Sequence, residues 1–269
     1  MKISIITINY NDAVGLKRTI KSVISQTFQD KEFLIIDGLS TDGSVDVIKQ
    51  YSDHISNWVS EHDTGIYNAM NKGIRMATGD YCIFLNSGDS FFSNKVLENA
   101  QHYLKTGKDI YNGNSLYIKN GSKIIWYCKG EKDNSLLFFF NSSICHQASF
   151  IKTSVVLKYK YDENLKMVAD WKFWLEAICL NHASYEAIDL DVCCFDVGGI
   201  TSTHRDLGLQ ERRKVLSELL SPDEVAKYDN LSAKRNICKY IRKGLYKNFW
   251  LYYARLFKNR QVLSIYKID

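Results

Sequence analysis

The sequence predicts an α/β fold with a mostly parallel central sheet flanked by helices, followed by a helical C-terminal extension. Three observations carry this expectation. Short apolar runs at residues 2–8, 32–37 and 81–85 alternate with stretches whose apolar positions follow helical spacing. Those runs are nearly continuous rather than alternating, the pattern of strands covered on both faces. Each runs into a polar loop, and beyond Asp206 the pattern is helical.

The opening MKISIITINY reads as a first strand, because its apolar run breaks at Thr7 and Asn9 without the apolar core or cleavage site of a signal peptide. Val14, Ile20, Val23 and Ile24 then lie near helical spacing, and residues 32–37 complete a βαβ unit. A second helix is expected near Ser44, capped by Ser40, Thr41 or Asp42, with a third strand from Ile55 to Ser60. Ile66, Ala69, Met70, Gly73, Ile74 and Ala77 form the stripe of an amphipathic helix that stops at Gly79. Tyr81 to Leu85 is a buried strand that runs into Asn86-Ser87-Gly88-Asp89, and in open α/β sheets ligands bind at such carboxyl ends. Further on, Ile110 to Ile118 and Lys123 to Cys128 are β-rich, and a short helix is centred near Leu136. Asp170 to Leu180 is helical, and Ala187 to Val197 is strand-like ahead of a Gly198-Gly199 turn.

A length of 269 residues suits one or two domains, and 45% hydrophobic with 24% charged residues excludes a disordered chain. No stretch of about 18 uncharged apolar residues occurs, so a membrane-spanning helix is not expected and the protein is expected in the cytoplasm. The seven cysteines form no CxxC pair and no Cys/His set has zinc-ligand spacing, which points to reduced thiols. The net charge of +5 is a C-terminal property, since residues 234–269 hold ten Lys/Arg and one Asp.

Three loops at expected strand ends hold carboxylates: Asp37 in IIDGLSTDGS, Asp63 in SEHDTGIYNAMNKG and Asp89 in FLNSGDS. Carboxylates at one sheet edge can accept from a base or ribose and hold a divalent cation by hard oxygen ligation. Helix capping is the alternative for the Asp37 loop, through Ser40 and Asp42, and for Asp89, ahead of a helix near Asn94.

Taken in order, these segments resemble glycosyltransferase family 2, of the GT-A fold, particularly its bacterial cell-surface polysaccharide branch. The likeness starts at ISIITINYND, continues through QTFQDKEFLIIDGLSTDGS and SEHDTGIYNAMNKGIRMATGDYCIFLNSGD, and extends through HQASFI and VADWKFW to about Gly199. The resemblance implies that Thr7, Asn9, Tyr10, Asp37, Asp63, Lys72, Asn86 and Ser87 surround the nucleotide of a UDP-sugar. It implies that Asp89, with His204, holds a divalent cation, Mn2+ or Mg2+, at the diphosphate. One departure is that the common Asp-x-Asp turn is here Asn86-Ser87-Gly88-Asp89, with an amide in place of the first carboxylate. Asp170 matches the family's general base in an inverting transfer, with an N-cap of its helix as the alternative. His146, Gln147 and Trp171 are expected at the acceptor or sugar.

The implied domains are residues 1–204, with a nucleotide-binding half 1–106 and an acceptor and catalytic half 107–204, followed by a basic helical region 205–269. Within the latter, residues 237–260 combine an apolar stripe with Lys and Arg, suited to the anionic inner face of a cell membrane and a polyprenyl-linked or glycan acceptor. A packed helix with a solvated basic face is the alternative, and nucleic acid is not expected. The rivals are a sugar-phosphate nucleotidyltransferase, which would need a Gly- and Arg/Lys-rich loop where NYNDAVG stands, and a non-catalytic subunit with the same fold.

Overall fold

The computed structural model of the protein describes residues 1–119, 123–196 and 205–242. The first half alternates strictly: β1 (Ile3–Asn9), α1 (Ala13–Ile24), β2 (Lys31–Asp37), α2 (Ser44–Gln50), β3 (Asn57–Ser60), α3 (Ile66–Met76) and β4 (Tyr81–Phe84). Then come β5 (Ser90–Phe91), α4 (Val96–Leu104), β6 (Ile110–Lys119), β7 (Lys123–Cys128), α5 (Leu136–Asn141), β8 (Ser149–Lys152), α6 (Thr153–Tyr159), α7 (Ala169–Trp174) and β9 (Tyr185–Asp196). The last helices are α8 (Arg205–Leu219) and α9 (Pro222–Arg242). The chain divides into units of residues 1–215 and 216–269, and the first holds the whole sheet.

The sheet has nine strands in the order β3-β2-β1-β4-β8-β6-β9-β5, with β7 paired to β6. It is mixed. The β3-β2-β1-β4 part is parallel throughout, as the apolar runs predict. The β4–β8, β8–β6, β6–β7 and β9–β5 pairs are antiparallel, while β6 and β9 run parallel. Parallel register aligns Asn9 with Asp37 and Asp37 with Ser60, so the ends of β1, β2 and β3 form one edge.

Helix α1 lays Leu16, Ile20 and Val23 onto one face of this sheet, where they join Ile3, Ile5, Phe33 and Ile35 in a core without solvent exposure. Helix α3 covers the other face with Met70, Gly73 and Ile74. Gly73 is required by the packing: a Cβ there would lie 2.4 Å from Ile6 Cγ2.

Several boundaries differ from expectation for local reasons. Helix α2 starts after Gly43, whose φ of 95° suits glycine, while Asp42 Oδ1 accepts from Ser44 N at 3.0 Å. Helix α4 starts after Lys95, so Asp89 caps no helix and instead precedes β5. The expected 170–180 helix is α7 followed by a wider π turn over Leu175–Leu180. Among the described residues no helix is long and apolar enough to cross a membrane.

Candidate functional site

The β1–β2–β3 edge is organised by one carboxylate. Asp37 is fully buried and takes hydrogen bonds from Asn9 Nδ2 at 2.7 Å, Ser60 Oγ at 2.6 Å, Ser40 Oγ at 2.6 Å and Ser40 N at 3.0 Å. Burial penalises its charge, but these donors outweigh that cost and hold its pKa below the usual carboxylate range. With its oxygens so occupied, Asp37 does not line the cavity, and Gly38 and Leu39 reach the cavity in its place. Gly38 permits a close approach, since a Cβ there would stand 3.0 Å from Asp63 Oδ2 and 3.2 Å from Tyr10 Cδ2. Leu39 adopts a φ of 62°, unusual for a leucine, and is 57% exposed at the cavity.

That cavity has a volume of about 960 Å3 and lies over the strand ends. Asn9, Tyr10, Asp63, Asn86, Ser87, His146, Gln147 and Asp170 all line it, so the structure brings together eight residues singled out in the sequence. Tyr10 is 70% exposed there. Two amide oxygens at the site, Asn9 Oδ1 and Asn86 Oδ1, are buried without a hydrogen-bond partner. An unmet buried acceptor costs about 1–3 kcal/mol, so both are suited to donors that a ligand brings.

Other expected residues stand behind the wall. Thr7 is buried and donates to Leu85 O at 2.6 Å. Lys72 pairs with Asp63 at 2.7 Å and Glu61 at 2.8 Å and donates to His62 O at 2.9 Å, which fixes the Asp63 loop. Trp171 is 1% exposed, donates Nε1 to Phe139 O at 2.6 Å and carries the Arg212 guanidinium 4.7 Å over its ring, so it offers no free face to a sugar. His204 and residues 243–260 lie outside the described residues.

The turn after β4 is clamped to α1. Arg18 Nε donates to Gly88 O at 2.9 Å, Thr19 Oγ1 donates to Asp89 O at 2.7 Å, and Ser87 Oγ meets Asp12 Oδ2 at 3.2 Å. Asp12, which caps α1 by accepting from Gly15 N at 2.9 Å, also lines the cavity. Sequence reasoning passed over it, although an Asp just before a helical stripe is a recognisable signal.

Asp89 is 8% exposed and does not line the cavity. Burial pushes its carboxyl up to about 7, with His146 and the Gln147 side chain acting the other way. Among the described residues no group of three or more His, Cys, Asp or Glu side chains is placed to hold a metal. Asp89 is nevertheless a hard oxygen donor close in sequence to Asn86 and Ser87, which line the cavity, so a cation held there would draw most of its ligands from a diphosphate.

Asp170 does not cap α7, whose N-cap is Val168. Its Oδ1 accepts from Tyr67 OH at 3.2 Å, and its Oδ2 lies 3.5 Å from His146 Nδ1. Burial raises the cost of its charge, but the hydrogen bond and charge of His146, the Trp171 N–H and Tyr67 hold its pKa below the usual range. His146 shows the converse: burial opposes its charge, and Asp170 raises its pKa. The pair therefore favours the ionised form of the Asp170 carboxylate.

Residues 4–158 match the family model described as glycosyl transferase family 2. An uncharacterized glycosyltransferase of Mycobacterium tuberculosis is 32% identical over 263 residues, covering 96% of this chain and 95% of its own length. Among solved structures, S. aureus TarS 1–349 in complex with UDP-GlcNAc aligns with a TM-score of 0.64 at 20% identity, over 87% of this chain and 71% of that one. The mannosyltransferase PcManGT from Pyrobaculum calidifontis, in complex with GDP-Man and Mn2+, aligns with a TM-score of 0.55 at 16% identity, over 78% and 60%. At these identities the structural likeness speaks for the fold.

Proposed function

Since the chain belongs to glycosyl transferase family 2, we propose that it moves a sugar, with inversion, from a UDP-linked donor onto a glycan or polyprenyl-linked acceptor in surface polysaccharide biosynthesis. The observation that carries this reading is that one cavity is lined both by the strand-end loops and by the Asp170 carboxylate. Its volume of about 960 Å3 falls within the range of small-ligand sites and accommodates a nucleotide sugar. The solved relative that binds UDP-GlcNAc supports a uridine donor.

In this reading Asn9, Tyr10 and Asp63 contact the nucleoside, with Asp37 and Lys72 holding those loops in place, and Asn86 and Ser87 face the diphosphate. Asp89 would hold Mn2+ or Mg2+, which offsets charge on the departing diphosphate. The complex of the Pyrobaculum calidifontis mannosyltransferase with GDP-Man and Mn2+ supports a divalent cation in this reading. Asp170 takes the proton of the acceptor hydroxyl as that oxygen bonds to the anomeric carbon, while the bond to the diphosphate oxygen breaks and the nucleotide leaves with the electron pair. A polyprenyl-linked acceptor would bring the protein to the cytoplasmic face of a membrane, where the basic 237–260 stretch would suit anionic lipid.

Asp170→Asn tests the assignment. It should leave binding of the nucleotide sugar unchanged and lower turnover, read as nucleotide release, by about 100-fold or more. Unchanged turnover would remove Asp170 from the role of base.

A further inference from the structure

Building on Asp170 as the base, we propose that His146 is a positioning residue: its two ring nitrogens hold the Asp170 carboxylate in register with the Asn86 turn that faces the diphosphate. His146 sits on the short turn His146–Ala148, ahead of β8, between two elements remote in sequence. On one side its Nδ1 is 3.5 Å from Asp170 Oδ2 at the start of α7, and on the other its Nε2 is 3.5 Å from Asn86 Nδ2 after β4. Both separations are at the outer limit of a hydrogen bond, and catalytic contacts of this kind tighten when substrate binds. With Tyr67 OH on Oδ1 and His146 on Oδ2, the carboxylate is held at both oxygens and cannot rotate freely.

Asn86 completes the argument. Its Oδ1 is buried without a partner while its Nδ2 faces the ring. An amide can present either end, donating to a neutral Nε2 or accepting from a protonated one, whereas a carboxylate could only accept. The ionisable groups bearing on the pair come from every surrounding element: Tyr67 on α3, Asp89 after β4, Cys145 beside the ring, Tyr161 after α6 and Arg212 on α8. Their balance leaves Asp170 more acidic and His146 more basic than usual, as expected of direct partners.

The test compares the full-length protein with its His146→Gln, His146→Ala and Tyr67→Phe variants, following kcat, donor KM, the pH dependence of kcat and thermal stability. His146→Gln should lower kcat about 10-fold with donor KM unchanged. It should also move the acid limb of the kcat profile upward by about one pH unit, because the cation that keeps Asp170 ionised is gone. Tyr67→Phe, which removes a neutral donor, should move that limb less. In an Asp170→Asn background His146→Gln should cost nothing more, since its effect runs through the base. An acid limb that stays in place, or an equal cost in both backgrounds, would overturn the proposal. Where His146→Ala fails to fold, the nearly isosteric Gln variant decides. Failure of the base reading is distinguishable: it is an Asp170→Asn enzyme with full turnover, whatever His146 does.

Discussion

Glu32 and Asp37 stand at opposite ends of β2, and both are buried carboxylates satisfied by neighbouring donors. Glu32 receives Lys2 Nζ at 2.8 Å, Thr78 Oγ1 at 2.7 Å, Gly79 N at 3.0 Å and the Ser4 hydroxyl, which ties the start of the sheet to the end of α3. Burial works against its charge, yet these donors bring its pKa down to about 2. A depressed carboxylate contributes stability that is complete above its unfolded value and is lost as pH falls through the folded one. From the ordinary glutamate value of 4.5 to about 2, that contribution is at most roughly 3 kcal/mol, solvent screening reducing it. Glu32→Gln should therefore lose most of this in urea unfolding at pH 7, and the gap to the natural protein should shrink by more than half at pH 3. A gap independent of pH would mean that the ionised form is not the source. Nothing in the sequence singled out Glu32, because its donors are brought to it from residues 2, 4, 78 and 79 only by the sheet. For Asp37 the sequence marked the residue but not its partners: a carboxylate at a strand end reads alike whether it meets a ligand or, as here, four protein donors.

Helix α3 was legible almost to the residue, since its apolar stripe repeats at helical spacing and its buried positions include Ala69, Met70, Gly73 and Ile74. Its glycine shows what such a stripe leaves out. Alanine favours a helix over glycine by about 1 kcal/mol, so by propensity Gly73→Ala should stabilise. Packing reverses the sign, because the added Cβ would press on Ile6, which is fully buried in β1. Overpacking of this kind costs about 1–3 kcal/mol, and a lowered melting temperature for Gly73→Ala is the expected outcome. The second half of the sheet was less legible. The apolar runs of β6 (IYNGNSLYIK), β8 (SFIK) and β9 (YEAIDLDVCCFD) are short or interrupted, and no such run encodes the direction of its neighbour. Helix α7 gives way to a π turn that helical spacing does not predict, and Trp171, read as a candidate for a sugar, is fastened by Phe139 O and Arg212 in the wall.

At the scale of the whole molecule, a cavity with two unmet buried amide oxygens should be stabilised by the ligand that meets them. In a thermal-shift panel, UDP-sugars with Mn2+ should raise the melting temperature by several degrees, since a ligand at 100 times its Kd contributes about 2.7 kcal/mol. Omission of Mn2+ should reduce the shift, because a divalent cation offsets the charge of the diphosphate beside the carboxylates of the site. An equal shift with GDP-sugars would count against the uridine assignment. The order of elements through β4 and the family likeness were determined by the sequence itself, because periodicity and loop chemistry are local properties of the chain. Tertiary structure decided which carboxylates face the cavity and which stand behind it. Asp37 and Asp89 lie within the wall while Asp12, Asp63 and Asp170 line the cavity, and His146 joins the last of these to Asn86 across more than 50 residues of chain. The physical reason is that burial and the supply of hydrogen-bond donors set what a carboxylate does, and both depend on residues distant in sequence.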